Sequence, residues 1–280
     1  MESLSYTIDG KRYVVNIEDS PSFDCGKQEC LSDRKSDVTY GQKWYKKGYK
    51  ANSFINAHEF SDLLSGLTSS VEKIIKSELN IEVDNFKLEN YHQLVTTDED
   101  HIKVVSKTRD LFPSDFNFPI EEMIIKFEDI LGFKLTDINP YNNKRLHIIV
   151  RINRPESNDF NPPHKDIYEA FDGSGYIPQF LNLWIPICGV NGFSSLPVAP
   201  ESHLIPENEI IRTFEGGVVE GKKYRVRMIK EWAGSSKLIR ADVKQGEVLF
   251  FSSHLIHGLA VNDQKDKTRV ALEFRLFKKD

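Results

Sequence analysis

The hydrophobic period of this chain changes once, near residue 145, and that change limits what the chain can become. Before it, apolar residues recur at helical spacing: Phe60, Leu63, Leu64, Leu67, Val71, Ile74 and Ile75 share one face. Asn56 opens that segment with Glu59 three residues on, the arrangement of a capping box. A second helix is predicted from Pro119, a favourable first-turn residue, to Gly132. Its buried face is Ile120, Met123, Ile124, Phe127 and Leu131. A shorter helix fits residues 101–111. After residue 145 the apolar segments are extended and punctuated by Gly and Pro, at 147–152, 181–187, 243–251 and 268–277. Helices followed by strands predict an α+β fold, with one-faced helices backing one sheet of a β-sandwich or barrel.

The remaining segments are less regular. Residues 4–17 alternate around Asp9-Gly10, a tight-turn signal, and predict a small hairpin. Residues 18–43 are rich in Ser, Asp, Lys and Gly and read as a loop. Residues 207–242, broken by Gly216-Gly217, Gly221 and Gly234, read as an insertion serving as a lid or binding loop. No repeat or linker marks a second domain. The chain therefore reads as one domain over 1–280, with an N-terminal extension (1–50), a mostly helical backing (51–144) and a strand-rich core (145–280).

Composition excludes several function classes. A net charge of −5 without a dense basic run argues against nucleic acid or an anionic membrane as partner. No apolar run approaches the ~18 residues of a membrane span. The start, Met1-Glu-Ser-Leu-Ser-Tyr, lacks the pattern of a secretion signal. Cys25, Cys30 and Cys188 are too scattered for a disulfide framework, and Cys25-x4-Cys30 has no second pair to make a zinc site. These features predict a cytoplasmic protein and leave oligomeric state open.

The candidate chemistry begins at Asn161-Pro-Pro-His164-Lys-Asp166. Residues before proline favour extended backbone. In an extended segment His164 and Asp166, two apart, project to the same side. That presents a nitrogen and an oxygen to one metal ion. A third ligand would complete one face of an octahedron, the 2-His-1-carboxylate arrangement suited to Fe(II) and oxygen chemistry. A later strand runs into a turn bearing His254 and His257. His257 is the better candidate because Gly258 beside it lets backbone approach closely, with His254 the alternative. In 268–277, Val270, Leu272, Phe274 and Leu276 alternate with Arg269, Ala271, Glu273 and Arg275. The apolar set should meet the helices. The polar set should face the interior, where a charge needs a partner. A guanidinium there is a ready clamp for a dicarboxylate. An Arg269–Glu273 or Glu273–Arg275 salt bridge accounts for the same pattern. His92 and His101 have no partner at ligand spacing and read as solvated or structural.

In order and spacing, His164 and Asp166, then His257, then Arg269 resemble the Fe(II)/2-oxoglutarate-dependent oxygenases, and among them the phytanoyl-coenzyme A dioxygenase-like branch. The run Ser195-Leu-Pro-Val-Ala-Pro-Glu201-Ser-His203 fits the branch's Pro-Gly-Ser-His loop, with Glu201 in the glycine's place. Trp184 in Leu-Trp-Ile-Pro and the Gly-Glu-Val-Leu-Phe-Phe strand fit as well, and Asn182-Leu-Trp-Ile-Pro resembles bacterial members from surface-carbohydrate gene clusters. The resemblance spans 145–277 and implies a double-stranded β-helix, the jelly-roll or cupin-like core. It implies that His164, Asp166 and His257 bind Fe(II). It implies that Arg269 holds the far carboxylate of the co-substrate 2-oxoglutarate, aided by Thr268 or Asn182, with Arg275 the alternative anchor. His203 belongs to a structural loop. The implied reaction uses O2 to hydroxylate a C–H bond of a small molecule, such as a sugar or specialised metabolite, with release of succinate and CO2. Asp166 disfavours halogenation, since the related halogenases lack that carboxylate. Residues 167–180 and 207–242 are the expected substrate readers, with Tyr168, Tyr176, Gln179, Arg225 and Arg227 as candidates. Rival readings are a cupin-like metal enzyme without 2-oxoglutarate, a non-catalytic sugar-binding sandwich, and a hydroxylase of protein or nucleic acid.

Overall fold

Helices precede most of the long strands, as the change of period predicts, and further strands stand before and between them. The structure is a computed structural model and describes residues 2–19, 21–140, 142–145, 147–169 and 179–279. The chain opens with β1 (Glu2–Ile8), β2 (Lys11–Glu18), β3 (Phe23–Cys25) and β4 (Tyr49–Ser53). Then come α1 (Ala57–Leu79), α2 (Tyr91–Leu94), α3 (Asp98–Thr108) and α4 (Ile120–Leu131). They are followed by β5 (Leu135–Thr136), β6 (Ile149–Asn153), β7 (Phe180–Cys188), β8 (Pro197–Val198) and β9 (Ile210–Thr213). The chain closes with β10 (Gly217–Val219), β11 (Lys222–Tyr224), β12 (Ile229–Trp232), β13 (Lys237–Arg240), β14 (Glu247–Ser252) and β15 (Arg269–Lys278).

The first sheet has the order β4-β14-β7-β15, with β5 and β6 both paired to β15. The second runs β11-β10-β2-β1-β13-β8, and a short third sheet is β12-β9-β3. Together they form an α+β fold with a double-stranded β-helix, or jelly-roll, core. Among the described residues no helix is long and apolar enough to cross a membrane.

Local chemistry sets the helix that backs the first sheet. The Asn56 side chain accepts from the N–H groups of His58 and Glu59, and Glu59 Oε2 accepts from Asn56 N–H, closing the capping box. The helix ends on Asn80, in the left-handed conformation that asparagine tolerates. Its apolar face meets the outer face of the first sheet. Leu63, Leu67 and Val71 of α1, with Met123 and Phe127 of α4, share one core with Leu181, Leu183 and Ile185 of β7. Val248 and Phe250 of β14 and Val270, Leu272, Phe274 and Leu276 of β15 complete that core. The inner face carries Trp184, Leu249, Phe251 and Ala271.

Two segments differ from the sequence reading. Residues 207–242 form β9 to β13 and are woven into the second and third sheets. Strands of three or four residues between glycine turns carry too little alternation to be recognised as strands. Residues 18–43 contain β3 and a buried carboxylate. Asp37 is 3% exposed and accepts from the hydroxyls of Ser32, Thr39 and Ser252 at 2.7, 2.7 and 2.5 Å. A buried acid brings polar partners with it, so the segment looks like a loop by composition. Cys25 and Cys30 are exposed free thiols and Cys188 is a buried one.

Phe127 is central to the helix–sheet interface, with its ring centroid 5.3 Å from Phe54, 5.6 Å from Phe250 and 6.3 Å from Phe274. Phe127→Ala is expected to cost about 3–5 kcal/mol of unfolding free energy, read from the urea midpoint at unchanged slope.

Candidate metal centre

The segment carrying His164 and Asp166 lies against the turn carrying His257. The two histidines exchange backbone hydrogen bonds, His164 N–H to His257 O at 2.9 Å and His257 N–H to His164 O at 3.1 Å. Gly258 makes the approach possible: with φ +129°, an added Cβ would lie 2.6 Å from Pro162 O. Neighbouring side chains fix the loops from below, because Ile167 and Ile256 pack into the apolar cluster of the second sheet.

Both imidazoles are oriented by the same local device. His164 Nδ1 lies 2.7 Å from Pro162 O, and His257 Nδ1 lies 3.0 Å from Leu255 O. A carbonyl oxygen only accepts, so each Nδ1 carries the proton and each Nε2 keeps its lone pair. The Nε2 atoms face Asp166, His164 at 3.5 Å from Oδ1 and His257 at 3.7 Å from Oδ2. One donor atom from each of the three residues lies within 4.8 Å of the others, the one such cluster among the described residues. All three residues are buried, and His257 Nε2 has no hydrogen-bond partner among the described residues. A buried, unpartnered lone pair costs about 1–3 kcal/mol. A metal ion would remove that cost, and two imidazole nitrogens with one carboxylate oxygen are the donor set of a facial triad. The residues fit the ion.

The electrostatics agree. Burial pushes the Asp166 carboxyl up, but the Arg275 guanidinium beside it, with the neighbouring His257 and His164 rings, outweighs that and holds the group well below the usual carboxylate range. Burial pushes His257 down against the pull of Asp166, which favours the neutral form a metal needs. His254, the alternative ligand, is not in this cluster. Its Nε2 lies 3.3 Å from Ser36 O, and burial takes its pKa down to about 4.

The inner face of β15 holds three charges, each treated differently. Glu273 accepts both Arg151 Nε and Nη2, at 2.8 and 2.9 Å. Arg275 Nη2 donates to Asp166 Oδ1 at 2.9 Å. The salt bridges read along the strand are therefore replaced by partners from other segments. Side chains on neighbouring strands stand closer than those two apart on one strand. Arg269 has no carboxylate within ion-pair distance among the described residues. Its guanidinium donates to Asn153 Oδ1 at 2.7 and 3.1 Å and lies 5.6 Å from the Trp184 ring centroid. Burial, with Arg151 nearby, takes its pKa down to about 9 against the pull of Glu273.

Arg269 shares a small cavity with both histidines, walled also by Arg151, Asn153 and Glu273. A lobe of about 300 Å³ opens from His164 and Asp166 and is lined by Lys144, Arg145, Arg151 and Arg275. A third space of about 410 Å³ lies along β6, and Arg151 and Asn161 line all three. A larger groove, about 1240 Å³ beside Phe112 and Pro119, touches none of the three clustered residues.

Other predicted residues lie elsewhere. The Thr268 hydroxyl accepts from His92 N–H at 3.2 Å and meets His92 Nδ1 at 3.0 Å, and Thr268 is not among the residues walling the Arg269 cavity. Asn182 pairs across from Arg275, and its buried Nδ2 has no partner. Tyr168 donates to Glu207 at 2.6 Å, and Gln179 donates to Lys35 O. Arg225 and Arg227 line none of these cavities. Tyr176 lies outside the described residues. His101 is a buried partner of Tyr91 and Asp159. Sequence reasoning missed Lys165 and Glu207. Lys165 is buried between two of the clustered residues, and its Nζ reaches Glu207 Oε1 at 2.8 Å, where Arg212 Nε also donates to Glu207 at 3.3 Å. Alternation alone would put Lys165 on the side opposite His164, but nothing in the sequence names its acid.

The model of the phytanoyl-CoA dioxygenase family matches residues 58–269, most of the chain. The chain belongs to this family. It is accordingly an enzyme of the Fe(II)/2-oxoglutarate-dependent oxygenase class, with iron, 2-oxoglutarate and O2 as its reagents. Solved structures with a similar course of chain include AviO1 from Streptomyces viridochromogenes, at 12% identity and TM-score 0.49 over 85% of this chain and 92% of that one. The non-heme monooxygenase ThoJ aligns at 12% identity and TM-score 0.47 over 85% and 76%. The carbocyclase SnoK of nogalamycin biosynthesis aligns at 13% identity and TM-score 0.43 over 91% and 88%. No curated protein sequence matches the chain.

The departure from the family's loop pattern at Glu201 bears on backbone geometry. Glu201 adopts φ +65°, the left-handed conformation that glycine takes without strain and that costs another residue roughly 1 kcal/mol. The loop keeps its structural role: His203 is buried and its Nε2 lies 2.7 Å from Tyr45 O.

His254 allows a pH test. Its ordinary pKa is about 6.5 and its folded value about 4, so between them the unfolded chain binds a proton that the folded chain refuses. Stability should therefore fall as pH drops from about 6.5 towards 4, by up to roughly 3 kcal/mol from this group. His254→Gln should remove this group's share of the slope in the Tm–pH profile, the shares of the other buried histidines such as His101 remaining, while leaving Fe(II) binding in place.

Proposed function

We propose that this chain is a hydroxylase of a small molecule, such as a sugar or specialised metabolite, in which His164, Asp166 and His257 hold Fe(II) and Arg269 holds 2-oxoglutarate. The observation that carries this reading is a small cavity whose walls include both histidines and the buried Arg269 guanidinium, which has no carboxylate at ion-pair distance among the described residues. When bound, the iron and co-substrate supply oxidative decarboxylation to succinate and CO2, coupled to oxygen insertion into a C–H bond.

The chain's own share is placement. Pro162 O and Leu255 O keep each Nε2 deprotonated and aimed inward. Arg269 offers two donors on a rigid fork, matched to a carboxylate, and Asn153 and Trp184 fix its plane. The ordinary cost of an unpaired buried cation is removed when a carboxylate arrives. Arg269 and Arg275 are six residues apart on one strand, on the order of 20 Å, so one 2-oxoglutarate cannot use both. Asp166 engages Arg275, and this favours Arg269 as the anchor. Burial of the clustered residues keeps water from the reacting centre. The lobe of about 300 Å³ over His164 and Asp166 is of a size for a small polar substrate. Helices and sheet share one continuous apolar core, which supports reading residues 1–280 as a single oxygenase domain.

The test is anaerobic titration of Fe(II) and 2-oxoglutarate into apoprotein, following the weak visible charge-transfer band of the chelate. The band should appear in the parent and vanish in His164→Ala. In Arg269→Ala the co-substrate dissociation constant should rise by roughly 30-fold or more, the usual effect of truncating one partner of a buried charge pair. Absence of the band in folded, iron-loaded parent protein sinks the reading and brings forward the cupin-like enzyme without co-substrate or the sugar-binding sandwich.

A further inference from the structure

A carboxylate has two oxygens, and in Asp166 the protein engages one of them. Arg275 Nη2 donates to Oδ1 at 2.9 Å, the oxygen that also lies 3.5 Å from His164 Nε2, while Oδ2 faces His257 Nε2 at 3.7 Å and accepts no hydrogen bond among the described residues. Arg275 is itself well seated. It stands on β15 across from Asn182 of β7, with its guanidinium 5.0 Å from the Phe180 ring centroid. Asp166 is the buried partner, at 3% side-chain exposure against 31% for Arg275. The geometry points to Arg275 as a positioning residue that reserves Oδ1 and so confines Asp166 to one-oxygen ligation of the metal. This rests on the iron site proposed above and assigns Arg275 a role other than co-substrate anchor.

The role follows from counting positions on an octahedral ion. Two imidazoles and one carboxylate oxygen fill three. A 2-oxoglutarate chelate fills two more, leaving one for dioxygen. A carboxylate ligating through both oxygens would fill that last position, and the co-substrate complex would be closed to dioxygen. Deleting the Arg275 donor should therefore spare iron binding and co-substrate binding and impair only what comes after them. A plain electrostatic role makes a different prediction. A cation beside the site repels a metal ion and attracts a carboxylate co-substrate, so its loss would alter those two affinities and leave the sixth position alone.

Nitric oxide reads that position directly, since it takes the place of dioxygen on Fe(II) and gives a distinctive electron paramagnetic resonance signal. The parent protein, Arg275→Leu and Arg275→Gln are loaded anaerobically with Fe(II) and titrated with nitric oxide, with and without 2-oxoglutarate. Gln keeps an N–H donor without the charge. In the parent, nitric oxide should bind in both conditions. In Arg275→Leu it should bind without 2-oxoglutarate but 10- to 100-fold more weakly with it, a range usual for loss of a group that orients a metal ligand. In Arg275→Gln binding should recover towards the parent in both conditions. The inference is overturned if Arg275→Leu binds nitric oxide like the parent in the presence of 2-oxoglutarate. It is equally overturned if Arg275→Leu loses 2-oxoglutarate binding as Arg269→Ala does, or if Arg275→Gln behaves like Arg275→Leu. Failure of the parent itself to bind 2-oxoglutarate counts against the oxygenase site and is told apart by the charge-transfer band.

Discussion

The register of β15 between β6 and β7 is the constraint on which both core and site depend. Arg269 lies across from Asn153, and Glu273 across from Trp184. The side-chain period of a strand is two, so this register sends Val270, Leu272, Phe274 and Leu276 to the helices and Arg269, Glu273 and Arg275 to the cavity. A slip of one residue would press the charges against Phe127 and turn the leucines to the clustered histidines and Asp166. Stability and chemistry are thus two faces of one strand. The helices matter to function because they hold the apolar set in place.

Around the centre, the buried charges of the described residues are matched except at Arg269. Glu273 has Arg151, Asp166 has Arg275, and Lys165 shares Glu207 with Arg212. Each pair costs desolvation and recovers it through close geometry. Arg269 is buried without an acid, held by a side-chain amide and an indole face. A buried cation held in this way, with no acid at ion-pair distance among the described residues, is suited to meeting an anionic group.

Much of this was legible in the sequence where one residue decides a local geometry. Asn56 with Glu59 marked the start of α1, Asp9-Gly10 marked the hairpin, and Gly258 marked where two backbones touch. Extended alternation predicts His164 and Asp166 on one side, and the two do cluster, with His164 bridging to His257 and Asp166 opening a short 3-10 turn. What escaped was decided by distant partners. Arg275 and Glu273 look like neighbours along a strand, yet each pairs with a residue more than a hundred positions away. Asp37 looked like loop, although Ser252, far along the chain, completes its burial. The strands of 210–240 are too short to carry a period, and their sheet neighbours define them.

The crossed backbone bonds between His164 and His257 carry a further consequence. The two imidazoles come from segments far apart in sequence, but each one's main chain is tied to the other's by two hydrogen bonds. Neither loop can lift away without breaking both bonds and exposing the other's amide. The site therefore opens as one cooperative unit, with no half-assembled form in which one histidine stays behind. Hydrogen exchange at these two amides would report a single event, shared by residues that the chain itself keeps ninety-odd positions apart.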